Sequence, residues 1–154
     1  MMNNSVRVYI ELLRDDIKLP EYKNRGDAGM DVYLPDEVVI DAGETVLIPL
    51  GFKVAIPRGY ELQVRPRSGL SLKSSLRIPN SPGTIDSGYR DEVAVIMQNI
   101  DFPDREGRNS VRLAKGERIA QLVLKQVELC IWEETLDIDQ VGEDRGGGFG
   151  STGR

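Results

Sequence analysis

Apolar residues along this chain come in short runs that alternate with polar ones. The segments "VRVYIELL" (6–13), "EVVI" (37–40), "TVLIPLGFKVAI" (45–56), "YELQVRP" (60–66), "DEVAVIMQN" (91–99), "SVRLA" (110–114) and "RIAQLVLKQVELCIW" (118–132) are rich in β-branched residues. Successive side chains of a strand point to opposite faces, so a period of two predicts strands with one buried face. Turn chemistry such as "DAGE", "PRGY" and "AKGE" separates the runs. Many short strands at close spacing predict an all-β fold, a sandwich, jelly roll or barrel with at most one short helix. That helix is expected in "SGLSLKSS" (68–75), whereas "ETLDIDQ" is too short to support one. No internal repeat is visible. After about Glu133 the composition turns acidic and then glycine-rich, which predicts a single β domain over 1–132 and an arm with a mobile tail over 133–154.

Composition narrows the function classes. With 154 residues and 40% hydrophobic content, one domain with a substantial core is expected. The 20 basic and 25 acidic residues give a net charge of -5, which argues against non-specific binding to nucleic acid or to an anionic membrane. A charged ligand would have to be met by locally placed arginines. Cys130, the single cysteine, lies in "VELCIW"; it has no intrachain partner and is expected as a buried thiol in a reducing compartment. The amino terminus lacks the apolar core of a secretory signal, and no window approaches the roughly 20 apolar residues of a membrane span. A soluble, cytoplasmic protein is expected. The histidine count of zero excludes Ser-His-Asp triads, Cys-His pairs and histidine zinc sites. Catalysis would have to run on carboxylates, arginines, hydroxyls, backbone amides or a hard metal ion.

Several stretches carry chemistry that a plain β domain does not need. In "YKNRGDAGMDVY" (22–33), Asp27 and Asp31 flank Gly29 at the entry to a strand; they form either a polar site or a turn in which the aspartates bond their own backbone. "RPRSGLSLK" (65–73) sets Arg65 and Arg67 beside Ser68 and Gly69 at a helix start, which suits an anion, with capping by Ser68 as the alternative. In the hairpin "RIPNSPGTIDSGYRDEV" (77–93), Asn80, Pro82 and Tyr89 surround Asp86, although a generic turn needs none of them. Gln121 shares a strand face with Ile119 and Val123. If buried it must be hydrogen-bonded; otherwise that face meets solvent. The tail "DRGGGFGSTG" (144–153) is either a disordered end or a phosphate loop, with glycine amides, Ser151 and Thr152 as donors, Arg145 as counter-charge and Phe149 as a stacking ring.

In their order and spacing, "DAGMDVY", "PRSGLSLK", "NSPGTIDSGYRDEV", "GERIAQLVL" and "RGGGFGSTG" resemble the motifs of the trimeric dUTP diphosphatases, the dUTPases. The resemblance spans about residues 22 to 153. It implies a jelly roll that assembles as a homotrimer with shared active sites, the tail of one subunit closing over a site formed by the other two. It implies hydrolysis of dUTP to dUMP and pyrophosphate, which removes dUTP from the nucleotide pool and supplies dUMP for thymidylate synthesis. Asp86 would be the general base. Asp31 would hold Mg²⁺ through water. Arg67, Ser68, Gly69 and Gln121 would contact the phosphates, and Arg145, Gly150, Ser151 and Thr152 their γ end, with Phe149 stacked on the uracil. Asn80, Gly83, Thr84, Ile85 and Ala94 would line the uracil pocket, and Tyr89 would pack under the deoxyribose and exclude a 2′-hydroxyl.

The sequence departs from the family pattern at two places. Asp91 stands where a glycine commonly follows "YR", which is expected to adjust the return strand and leave the acid in solvent. "NIDFPDREGRNS" (99–110) is longer than the usual connection and is expected to form a surface extension. The alternatives are a dCTP deaminase-like or bifunctional enzyme of the same fold, a non-catalytic nucleotide-binding regulator, or a purely structural jelly roll.

Overall fold

The computed structural model describes residues 5–106 and 109–144. Its strands are β1 (Tyr9–Leu12), β2 (Met30–Tyr33), β3 (Val38–Ile40), β4 (Thr45–Pro49), β5 (Phe52–Ala55), β6 (Tyr60–Arg65), β7 (Leu76–Arg77), β8 (Gly83–Ile85), β9 (Ala94–Asn99), β10 (Val111–Leu113) and β11 (Arg118–Gln126). A single α-helix among the described residues, α1 (Ser68–Lys73), follows β6, and a 3₁₀ turn covers Ile138–Gln140. The all-β expectation therefore holds, with its short helix where the sequence places it.

Every strand pairing is antiparallel. The strands form the sheets β2–β11–β6–β8 and β4–β9–β7 and the ribbons β1–β5 and β3–β10, with no closed barrel. Between them lies one core that includes Phe52, Leu50, Leu76, Met97, Ile119 and Leu122. The long run 45–56 is split into β4 and β5 at Gly51, whose φ of 77° is the left-handed conformation that a side chain would oppose. β7 and β8 are too short for the apolar pattern to reveal, and they carry the hairpin that matters most.

Two elements differ from the alternating pattern: β1, exposed at all four of its residues, and β11. β11 is buried on both faces, with Ile119, Ala120, Leu122 and Val123 all in the interior, because it is a central strand covered on both sides. It also ends at Gln126. Residues 127–132 leave the sheet, and Leu129 and Trp132 are 88% and 92% exposed. Cys130 is exposed with them. This corrects the expectation of a buried thiol: within one chain there is no sheet for this apolar run to lie on.

The extension 99–110 hangs from a buried polar pivot. Asn99 is fully buried. Its amide donates to the carbonyls of Ile40 and Asn109, each at 3.0 Å, and its Oδ1 accepts from Ser75 Oγ at 2.6 Å and Asp101 N at 3.1 Å. Both ends of the extension and the end of the α1 segment are thus tied to one side chain. Asp91 is exposed and β9 begins only at Ala94, as expected for the departure at that position.

Candidate active site

The first group of predicted residues converges where β2, β11 and β6 lie side by side. Gln121 of β11 stands in register between Asp31 of β2 and Arg65 of β6. Asp31, 13% exposed, accepts from Arg67 Nε at 2.7 Å and from Arg118 Nη1 at 3.0 Å. Arg67 Nη1 also donates to the Arg118 carbonyl at 3.3 Å. Gln121 donates from Nε2 to the Pro66 carbonyl at 2.9 Å, so the glutamine is bonded, and its bond holds the turn that leads into Arg67. A Cβ at position 29 would collide with Gln121 Oε1, which is why a glycine stands there. These side chains, with Lys23 and Asp27, line an open cleft of about 420 Å³.

The neighbouring residues sort themselves physically. Asp27 accepts from Asn24 N at 2.7 Å and from Asn24 Nδ2 at 3.2 Å, so for this aspartate the turn reading is the correct one. Arg65 donates from Nε to Gln63 Oε1 at 2.9 Å, along its own strand. α1 starts without a side-chain cap, so Ser68 is not used as the capping alternative required. Ser68 and Gly69 are both exposed at that helix start. Glu21 forms a backbone bridge to Asp31 through bonds of 2.9 and 3.2 Å. Hydrogen bonds from Lys18 and then Tyr33 hold the Glu21 carboxyl below its usual range.

The second group forms around β8. Gly83, Thr84 and Ile85 pair with Val64, Gln63 and Leu62 of β6. With Asn80, Tyr89 and Ala94 they line a pocket of about 210 Å³. All the uracil-pocket candidates thus meet in one place. A Cβ on Gly83 would lie 3.1 Å from Asn80 Nδ2 and 3.3 Å from Val64 Cβ, so both neighbours would have to give by a few tenths of an ångström. Tyr89 donates its hydroxyl to the Glu92 carbonyl at 2.8 Å. Asp86 follows β8 directly and is exposed at the hairpin turn, which the Tyr89 N to Asp86 O bond closes at 3.1 Å.

The two groups occupy different parts of the sheet. β2 and β8 are the outer strands of their sheet, with β11 and β6 between them. Asp31 aligns with Arg65, whereas Asp86 lies one step beyond the Ile85–Leu62 pair. At about 4.8 Å between strands and 3.3 Å per residue, that separation is on the order of 20 Å. Arg145, Phe149, Gly150, Ser151 and Thr152 lie outside the described residues. Arg118, which shares Asp31 with Arg67, was not singled out from the sequence. Its place depends on the β2–β11 register and on a bulge beside it, which no local pattern announces.

Among the described residues no group of three or more His, Cys, Asp or Glu side chains could cage a metal ion. The donor set does fit a hard ion held through water. Each Asp31 oxygen accepts one arginine bond, and a carboxylate oxygen has a second lone pair to offer.

The all-β fold thus carries two recesses, a charged cleft in which Arg67 and Arg118 meet Asp31 and a largely apolar pocket at β8 with Asn80 and Tyr89 in its wall. Comparison with known proteins makes this specific. The dUTPase family model matches residues 15–153. The chain is 47% identical over 141 residues to the deoxyuridine 5′-triphosphate nucleotidohydrolase of Desulfotalea psychrophila, covering 90% of this chain and 89% of the relative. It is 43% identical over 148 residues to that of Alkaliphilus metalliredigens, covering 95% and 96%. Among solved structures, the Staphylococcus bacteriophage 80alpha dUTPase with dUPNHPP superposes with a TM-score of 0.86 at 29% identity, covering 97% of this chain and all of that one. The chain belongs to the dUTPase family of hydrolases.

Proposed function

We propose that this enzyme hydrolyses dUTP to dUMP and pyrophosphate in sites shared between the subunits of a homotrimer. The observation that carries this reading is the division of the site residues between a pocket at β8 and a cleft where Arg67 and Arg118 meet Asp31, with Asp31 and Asp86 on the order of 20 Å apart on one chain. A second subunit would bring its Arg67 cleft to the first one's hairpin. The apolar arm supports assembly as well, because Leu129, Ile131, Trp132 and Leu136 are almost fully exposed on a single chain.

In this reading the hairpin pocket takes the uracil. Main-chain groups of Gly83, Thr84 and Ile85 and the Asn80 amide address its polar edge, and the close walls leave no room for a 5-methyl group. Tyr89 packs under the deoxyribose, so a 2′-hydroxyl is rejected by shape. Asp86 accepts a proton from water as the water oxygen bonds to the α-phosphorus; the bond to the bridging oxygen breaks and pyrophosphate leaves. Arg67, Ser68, Gly69 and Gln121 orient the phosphates, and Arg145, Gly150, Ser151 and Thr152 of the tail hold the γ end while Phe149 stacks on the base. Asp31 would hold Mg²⁺ through water, and the ion would supply charge neutralisation to the phosphates. Positioning and fixed charge suffice for phosphoanhydride cleavage, which is why a chain without histidine can perform it.

We read 1–132 as the catalytic jelly roll and 133–154 as arm and lid. We read the enzyme as a soluble cytoplasmic one that removes dUTP from the nucleotide pool. Among the described residues no helix is long and apolar enough to cross a membrane. The test is pyrophosphate release from dUTP, dCTP, dTTP and UTP with Mg²⁺. Release from dUTP alone is expected; release from dCTP or UTP at similar rates would overturn the specificity.

A further inference from the structure

We infer that Glu92 is a positioning residue for sugar selection: its carboxylate bolts the segment carrying Tyr89 to the β4–β5 turn. The inference rests on the uracil and deoxyribose pocket proposed above, and it assigns a task to a side chain that otherwise has none.

Glu92 bonds in two directions at once. Its Oε1 accepts from Gly51 N at 2.7 Å, and its carbonyl accepts the Tyr89 hydroxyl at 2.8 Å. The turn it reaches is built as an anchor. Gly51 has a φ of 77°, a conformation that a side chain opposes, and an added Cβ would press on the Ile17 side chain. The Gly51 carbonyl accepts from Leu13 N at 2.8 Å, and Val93 is tied to both flanking residues through Leu50 N to Val93 O and Val93 N to Phe52 O, each at 2.9 Å. Leu50, Phe52 and Val93 are buried. The Tyr89 ring, by contrast, is 38% exposed and sits next to a turn of exposed residues. Its described polar tether is the bond to Glu92 O.

The consequence is a rigid reference for a ring that discriminates by contact. A single hydroxyl is a small target for steric rejection, so the ring must not yield when a ribose presses on it. With the carboxylate on Gly51, residues 92–93 are held on the core turn from the side chain as well as from the backbone, and the carbonyl that accepts from Tyr89 cannot drift. Without it the amide of the buried Gly51 is orphaned and the pocket wall loosens. A glutamine at 92 offers the same Oε1 acceptor and should do the same work, because the geometry needs an acceptor and not a charge.

The experiment compares kcat/KM for dUTP and UTP in the wild type, Glu92→Ala, Glu92→Gln, Tyr89→Phe and the double variant Glu92→Ala/Tyr89→Phe, with melting temperatures recorded for each. Glu92→Ala is expected to lower the dUTP:UTP ratio about 10-fold, KM for dUTP rising more than kcat falls. Glu92→Gln should restore the wild-type ratio. Tyr89→Phe, which leaves the carboxylate on Gly51 but removes the bond to the Glu92 carbonyl, should lower the ratio by a similar factor of about 10, and Glu92→Ala should add little to it in the double variant. An unchanged ratio in folded Glu92→Ala overturns the inference, as does full additivity in the double variant. Should Glu92→Ala not fold, an unchanged ratio in Tyr89→Phe overturns it. A wild type that does not prefer dUTP to UTP sinks the sugar-selection reading itself, an outcome distinct from the others.

Discussion

The two halves of the site are built on opposite plans. Around Asp31 the work is done by charged side chains that already satisfy one another: Arg67 and Arg118 share one carboxylate, and Gln121 is bonded to Pro66. Around β8 the pocket is made by backbone, glycine and an aromatic ring, fixed by strand pairing to β6 and by the Glu92 anchor. Charge that must meet a flexible, hydrated triphosphate can stay half-exposed and adjustable. A base and a sugar of fixed shape are better read by parts that do not move.

Removing a group that performs chemistry should exceed any change to either wall. If Asp86 is the general base proposed above, Asp86→Asn is expected to slow pyrophosphate release by about a thousandfold, with dUTP binding by calorimetry retained. Arg67→Ala attacks the charged half and leaves Asp31 with Arg118 alone; kcat/KM for dUTP should fall about 100-fold in steady-state assays. Gly29→Ala acts on the same half through shape, driving Gln121 off Pro66. It should reduce kcat/KM about 10-fold and lower chemical-denaturation stability by about 1–3 kcal/mol. Gly83→Ala is the corresponding change in the rigid half. Its Cβ presses on Asn80 and Val64, and a several-fold rise in KM for dUTP with little change in kcat is expected.

The smallest effect belongs to ion pairs that serve no ligand. Arg14, Asp16, Asp36 and Lys115 form an exposed cluster away from both halves. Bonds from Arg14 and then Lys115 hold the Asp16 carboxyl well below its usual range, and Arg14 does the same to Asp36. Carboxylates with lowered values stabilise the fold above the unfolded pKa of about 4 and lose that contribution as pH falls below it. The melting temperature should therefore begin to drop below about pH 4, and this part of the drop should shrink in 1 M salt because exposed pairs are screened.

The comparison also explains what could be read from residue order. Local chemistry was legible: period-two runs gave strands, "SGLSLKSS" gave α1, and the residues of "NSPGTIDSGY" lie close enough in sequence to build one pocket. The charged half was only partly legible. Asp31, Arg67 and Gln121 stand out beside glycine and serine, but Arg118 joins them through cross-strand register, a property of pairing and not of any segment. Glu92 escaped notice for the same reason, since its partner Gly51 lies on another turn. The run around Cys130 signals burial without saying against which surface, and no described part of its own chain covers it.

The central claim is that Asp86 and Arg67 of one active site come from different chains. The direct test mixes Asp86→Asn and Arg67→Ala subunits by co-refolding and measures pyrophosphate release from dUTP. Each variant alone should be nearly inactive. With shared sites, random mixing pairs an intact Asp86 with an intact Arg67 in about a quarter of them, and a corresponding fraction of wild-type activity should return. Mixed assemblies that form but stay as inactive as their parents would contradict the account, because both residues would then have to come from a single chain.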